Sequence, residues 1–136
     1  MTKIKTTIYV IPTAKGRPRS TIVHGHVKTY TPAKTRRAES DIMAMIRLQL
    51  RETKVFYYAN IPLRIEATFY RERPKTLAKR ATMPVQRPDL DNYMKLLTDS
   101  LEKYIYKNDS QICTALIKKR FGDPPRIELL IEVDED

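Results

Sequence analysis

Apolar and polar positions alternate over residues 4–11, with Ile4, Thr6, Ile8 and Val10 on one side and Lys5, Thr7 and Tyr9 on the other, the period of a strand. Residues 62–70 repeat this alternation. Residues 111–120 and 126–133 read as two more strands, separated by the turn Gly122-Asp123-Pro124-Pro125. Residues 21–29 predict a short strand or hairpin arm, in which His24 and His26, alternating across Gly25, would face one side. Thr31-Pro32 reads as a helix N-cap followed by proline at the first helical position. Ala38, Ile42, Met45, Ile46 and Leu50 then recur at helical spacing, which predicts a helix over 32–53 with Lys34, Arg37, Asp41 and Arg51 on its outer face. A second helix is predicted over 90–105, with Leu90, Tyr93, Met94, Leu97, Leu101, Tyr104 and Ile105 as its buried stripe. The expected order is β-β-α-β-α-β-β: an α+β fold in which a single mixed sheet packs with two main helices.

At 136 residues the chain is the size of one domain, taken to span 1–136. No apolar run approaches the ~18 residues of a membrane-spanning helix, and Met1-Thr2-Lys3-Ile4-Lys5 lacks the apolar stretch of a signal peptide. The single cysteine, Cys113, excludes an internal disulfide framework and a Cys-rich zinc module; among Ile112, Ala115 and Leu116 it is expected to be a small buried core residue. These features predict a cytoplasmic protein without membrane association.

Charge changes the picture further. Five of the 16 acids lie in the last nine residues, so residues 1–127 hold 26 cations against 11 acids, and residues 1–38 hold nine cations and no acid. Such a field attracts polyanions, of which nucleic acid is the commonest. Residues 71–88 form a long loop with Arg71, Arg73, Lys75, Lys79, Arg80 and Arg87 against one acid, Glu72; loops of this length inside compact domains are functional or disordered. Arg17, Arg19, Lys75, Lys79 and Arg80 are the candidate DNA phosphate contacts, positioning rather than base-reading.

In so basic a chain, the placed acids are informative. Arg87-Pro88-Asp89-Leu90-Asp91-Asn92-Tyr93-Met94-Lys95 sets two carboxylates at a helix start, with Lys95 on the same face as Asp91. Asp109 follows beyond the helix, at the mouth of the next strand. Two carboxylates ~4 Å apart repel by about 4 kcal/mol at an effective dielectric of 20, and a bound Mg²⁺, which takes carboxylate, water and phosphate oxygens, reverses that penalty. Such an ion activates water for attack on a phosphodiester, and a nearby lysine stabilises the added charge. The spacing equally admits a structural account, in which Asp89 or Asp91 caps the helix and Asp91–Lys95 is an ordinary surface pair.

Taken with Asp99-Ser100-Leu101 and Tyr106-Lys107-Asn108-Asp109-Ser110-Gln111-Ile112, this block resembles the signature of RusA-type Holliday junction resolvases: Pro-Asp-x-Asp-Asn-x-x-Lys, then Asp-x-Leu, then Asp-Asp-x-Gln-Ile. Gly16-Arg17-Pro18-Arg19, Tyr30-Thr31-Pro32 and Pro125-Arg126-Ile127-Glu128 extend the resemblance over nearly the whole chain. It implies a homodimeric, Mg²⁺-dependent endonuclease, with Mn²⁺ as a substitute ion, that nicks four-way DNA junctions symmetrically. By position, Asp89, Asp91 and Asp109 match the metal-binding catalytic aspartates and Lys95 the assisting lysine. Asn92 and Asp99 match further motif positions, with roles in orienting neighbours or capping. The chain departs from the pattern at Asn108, where the first of two paired acids is typical, and at Leu101-Glu102-Lys103, where Leu-Asn-Gly is typical.

Other chemistries fare worse. His24 and His26 lack partners for a zinc set, the eight tyrosines come with no activating set for phosphotyrosine transfer, and no RNA-stacking motif is present. The expected function is a metal-dependent, structure-selective DNA endonuclease acting on recombination and repair intermediates. The alternative is a non-catalytic protein of the same fold that binds branched DNA.

Overall fold

The computed structural model describes residues 3–50 and 55–135. Its elements are β1 (Ile4–Ile8), β2 (Arg19–Val23), β3 (His26–Tyr30), α1 (Ala33–Leu50), β4 (Leu63–Arg71), α2 (Leu90–Leu101), a single 3₁₀ turn at Asp109–Gln111, β5 (Ile112–Phe121) and β6 (Arg126–Val133). Four strands form a mixed sheet in the order β1-β6-β4-β5, in which β4 and β5 are parallel and the other pairs antiparallel. The parallel pair requires a crossover, and α2 provides it. The result is the expected α+β architecture. Among the described residues, no helix is long and apolar enough to cross a membrane.

Alternation decides which face is buried. Leu63, Ile65, Ala67 and Phe69 of β4 point the same way as Ile127, Leu129 and Ile131 of β6 and Ile4 and Ile8 of β1, and α1 and α2 cover them with Ile42, Ile46, Tyr93, Leu97 and Leu101. Phe69 and Tyr93 stack across this boundary with ring centroids 5.3 Å apart. Truncating a fully buried residue such as Leu63 or Leu97 to alanine costs about 2–5 kcal/mol. Glu128 and Glu132, alternating with the buried β6 residues, lie on the sheet's far face with Arg64 and Arg126 as ion partners. Much of the acidic C-terminal charge is therefore segregated behind the sheet, away from the helices.

Three expectations need correction, and a fourth lies outside the described residues. Residues 21–29 form the two arms of a hairpin: Val23 pairs with His26, and His24 and Gly25 are its turn, with φ of 51° and 78°. Both central residues at positive φ is what a two-residue hairpin loop of this kind requires, so the two histidines do not share a strand face. Cys113 is exposed, because the β4–β5 register slips from Leu63↔Ile112 to Arg64↔Thr114 and leaves it as the extra residue of a bulge on an edge strand. The second helix ends at Leu101. Glu102 turns to extended geometry and Lys103 takes φ 73°, which swings Tyr104 out to lie beneath Arg47 while Ile105 returns to the core. The first helix is described through Leu50, so its expected end at 51–53 and Arg51 lie outside the described residues.

Candidate active site and its basic groove

The chain reaches α2 through the cis peptide Arg87–Pro88, and two cations fix the approach. Lys119 Nζ donates to the carbonyls of Gln86 and Pro88, both at 3.0 Å, and Arg71 Nη1 donates to that of Arg87 at 2.8 Å. Asp89 then occupies the N-cap position without a side-chain capping bond. Asp91, in the first turn, is exposed and makes no ion pair among the described residues. Neither bland role is thus realised: the Asp89 carboxylate is not used as a cap, and Lys95 does not pair with Asp91. Both anions are instead favoured in place by the positive end of the helix.

Lys95 turns the other way. Its Nζ lies 3.1 Å from Asp99 Oδ1 and 3.5 Å from Asp109 Oδ2. Asp99 Oδ2 is 3.1 Å from Lys15 Nζ, which also reaches Glu39 at 3.3 Å. The hydrogen bond and charge of Asp99, assisted by Asp109, raise the Lys95 pKa above its ordinary value. Lys95 is therefore a fixed cation at neutral pH rather than a proton acceptor.

Asp109 is set by a network that spans the turn. Its backbone N–H donates to Glu102 Oε1 at 3.1 Å. Asn108 caps the 3₁₀ turn: its side chain accepts from the Ser110 N–H at 2.8 Å, and Gln111 Oε1 accepts from the Lys107 and Asn108 N–H groups at 3.0 and 2.9 Å. The buried Gln111 amide donates to the carbonyls of Tyr57, Tyr58 and Ile61. Tyr106, also buried, donates its hydroxyl to Thr98 O at 2.6 Å; burial, and then the Asp109, Glu102 and Asp99 carboxylates, push its pKa well up.

The fold thus brings Lys95, Asp99 and Asp109 together, one turn along α2 from Asp91. Among the described residues, no three His, Cys, Asp or Glu side chains converge closely enough to hold a metal. The chemistry of the donors does suit a hard divalent cation, since among the described residues Asp89 has no side-chain capping bond and Asp91 no ion pair, which leaves carboxylate oxygens for it.

A groove of about 1290 Å³ is lined by Lys15, Arg17, Arg19, Lys34, Arg37 and Arg71, and it adjoins this site through Lys15, which pairs with Asp99, and through Pro88, the residue before Asp89. Arg17 and Arg19 are exposed along it, whereas Lys75, Lys79 and Arg80 are exposed on the 71–88 loop. Arg73 organises that loop from within, donating to the carbonyls of Leu77, Ala78 and Ala81. Sequence reasoning passed over Lys15, Glu102 and Gln111 as site-supporting residues. Lys15 was hidden because its partners lie far along the chain. Gln111 stood inside a recognised motif, where its two-ended amide is the signal.

The profile described as Endodeoxyribonuclease RusA matches residues 10–132. The chain belongs to the RusA family. A relative named crossover junction endodeoxyribonuclease rusA, from Lactococcus phage r1t, is 30% identical over 122 residues, covering 89% of each chain. The uncharacterized protein YqaN of Bacillus subtilis (strain 168) is 33% identical over 138 residues, covering 94% of each. Within the RusA pattern, the departure at Asn108 falls on a capping position that needs only an acceptor, so the amide serves without adding charge. The departure at Lys103 places a side chain at positive φ, where the typical glycine has no such strain.

Proposed function

We infer that this RusA-family protein is a metal-dependent endodeoxyribonuclease that resolves four-way DNA junctions, each subunit of a homodimer nicking one of two equivalent strands. The observation that carries the reading is the 3.5 Å approach of Lys95 to Asp109. It joins two parts of the family motif into one site, which Lys15 links to the basic groove through Asp99. The name of the phage relative supports the same substrate. Two-fold symmetry suits a junction, which presents its target strands in pairs.

Asp89, Asp91 and Asp109 are the residues that would hold Mg²⁺, or Mn²⁺ in its place. When bound, such an ion activates water and offsets charge on the phosphodiester. Lys95, kept protonated by Asp99, supplies positive charge beside the same site, where the transition state gains negative charge. Arg17, Arg19, Lys75, Lys79 and Arg80 would hold the DNA arms by their phosphates.

A second reading is a non-catalytic protein that binds branched DNA, favoured by the lack of a convergent acid cluster among the described residues. A labelled synthetic junction, incubated with the protein in Mg²⁺ and in EDTA beside Asp91→Asn, separates the two. Paired nicks that vanish with EDTA and with the variant support the nuclease. Tight binding without nicks under any divalent ion establishes the accessory protein.

A further inference from the structure

The β2–β3 hairpin stands apart from the rest of the fold. All ten of its strand residues are exposed, and none belongs to the core. A two-stranded ribbon alone is marginally stable in water, so a ribbon with both faces bare is built to meet something. Its register sorts its chemistry, because directly paired residues share a face. Arg19↔Tyr30, Thr21↔Lys28 and Val23↔His26 make one face basic and aromatic. Ser20↔Thr29 and Ile22↔Val27 make the other face small and apolar, with Ile22 75% and Val27 73% exposed.

Two observations select the partner. The hairpin lies within residues 1–38, which carry nine cations and no acid, so a polyanion complements it. Its base is also continuous with the groove that Pro88 lines, one residue before Asp89, since Arg17 and Arg19 line the same groove. DNA held in the groove would extend onto the ribbon. We propose that the hairpin recognises the branch point: Arg19, Lys28 and Tyr30 follow a phosphate backbone, and the Ile22–Val27 pair packs on base faces exposed where the arms diverge. Apolar side chains set against a base step are a known means of favouring deformed DNA, and a branch point offers an opened step without the cost of creating one in continuous duplex. The hairpin thereby supplies preference for structure, while the acids near Asp89 supply the chemistry. This rests on the reading of the protein as acting on branched DNA.

The test uses the full chain, a four-way junction carrying 2-aminopurine beside the crossover, and a linear duplex of equal length. The variants are Ile22→Thr with Val27→Thr, which keep β-branching, and Arg19→Ala with Lys28→Ala. The threonine pair is expected to remove most of the 2-aminopurine fluorescence rise and to weaken junction binding about tenfold, with duplex binding little changed. The alanine pair weakens junction and duplex alike and flattens the log–log salt dependence by roughly 0.9 for each phosphate no longer neutralised. Melting curves matching the wild type confirm that both variants fold. A threonine pair that keeps the fluorescence rise and the junction preference overturns the proposal. So does a threonine pair that abolishes a dimer seen for the wild type in sedimentation, which makes the ribbon an interface between subunits. A wild type that binds junction and duplex equally overturns the functional reading too, a result recognisable before any variant is made.

Discussion

Lys15 Nζ lies 3.1 Å from one oxygen of Asp99, whose other oxygen is 3.1 Å from Lys95. A cation from the segment between β1 and β2 and a cation from α2 thus share one carboxylate, which aims Lys95 at Asp109. Asp99→Asn keeps the shape and removes the charge. Misplacing Lys95 by about 1 Å is expected to slow single-turnover junction cleavage roughly 10- to 100-fold. Junction affinity measured in Ca²⁺ should change little, because Asp99 faces two lysines of the protein. Cleavage at the wild-type rate would show that Lys95 needs no such orientation.

Tyr106 and Lys95 give the stability an alkaline edge. Both pKa values are raised in the folded state, so the native protein holds these protons longer than the unfolded chain. Their contributions are complete below the unfolded values, about 10 for tyrosine and 10.4 for lysine, and are lost as pH climbs toward the folded ones. Urea midpoints should therefore hold steady on this account between neutrality and about pH 9, and fall above about pH 10. Tyr106→Phe should cost about 1 kcal/mol at neutral pH by removing the bond to Thr98 O, and should fall less steeply above about pH 10. An equally steep fall in the variant would remove Tyr106 as a cause.

Lys103 is a lysine at φ 73° directly after α2. Left-handed geometry costs an L-residue about 1–2 kcal/mol, and glycine escapes it while losing more freedom on folding. Lys103→Gly should therefore stabilise the protein by about 0.5–1 kcal/mol in urea unfolding, whereas Lys103→Val should destabilise it.

Gln111 ties the 3₁₀ turn to the segment before β4 with both ends of its amide. Gln111→Ala orphans several buried backbone groups at once, each worth about 1–3 kcal/mol, so a loss of about 3 kcal/mol or more is expected. Gln111→Glu retains the acceptor but puts a charge against three carbonyls. It should rescue little.

How much of this was legible in the sequence depended on the range of the cause. The alternation of β4 and β6 is written in neighbouring residues, so Leu63, Ile65, Ile127 and Ile131 could be assigned to the core directly. Cys113 could not be placed, because a bulge depends on the register against β4 and a one-residue slip is invisible in one strand. Tyr104 fitted the helical period, but the chain left the helix at Glu102 with no glycine or proline to mark the end. At the site, the approach of Asp109 to Lys95 depends on where the sheet places β5, which spacing alone does not state.

The same distinction separates cations that bind from cations that build. Arg17, Arg19, Lys75, Lys79 and Arg80 are exposed, whereas Arg73 donates to three carbonyls of its own loop and Lys119 to two carbonyls ahead of Asp89. Replacing the exposed five with glutamine should leave the melting temperature nearly unchanged. It should flatten the salt dependence of DNA binding by about 0.9 in log–log slope for each phosphate left without its cation. Arg73→Gln and Lys119→Gln should do the reverse, lowering stability by about 1–2 kcal/mol with little change in slope, since they remove partners of backbone carbonyls rather than of phosphates. Lys119→Gln should also slow cleavage, because the segment it holds delivers Asp89. A slope unchanged in the five-fold variant would mean that DNA lies against other cations, with Lys34 and Arg37 in the groove the next to replace.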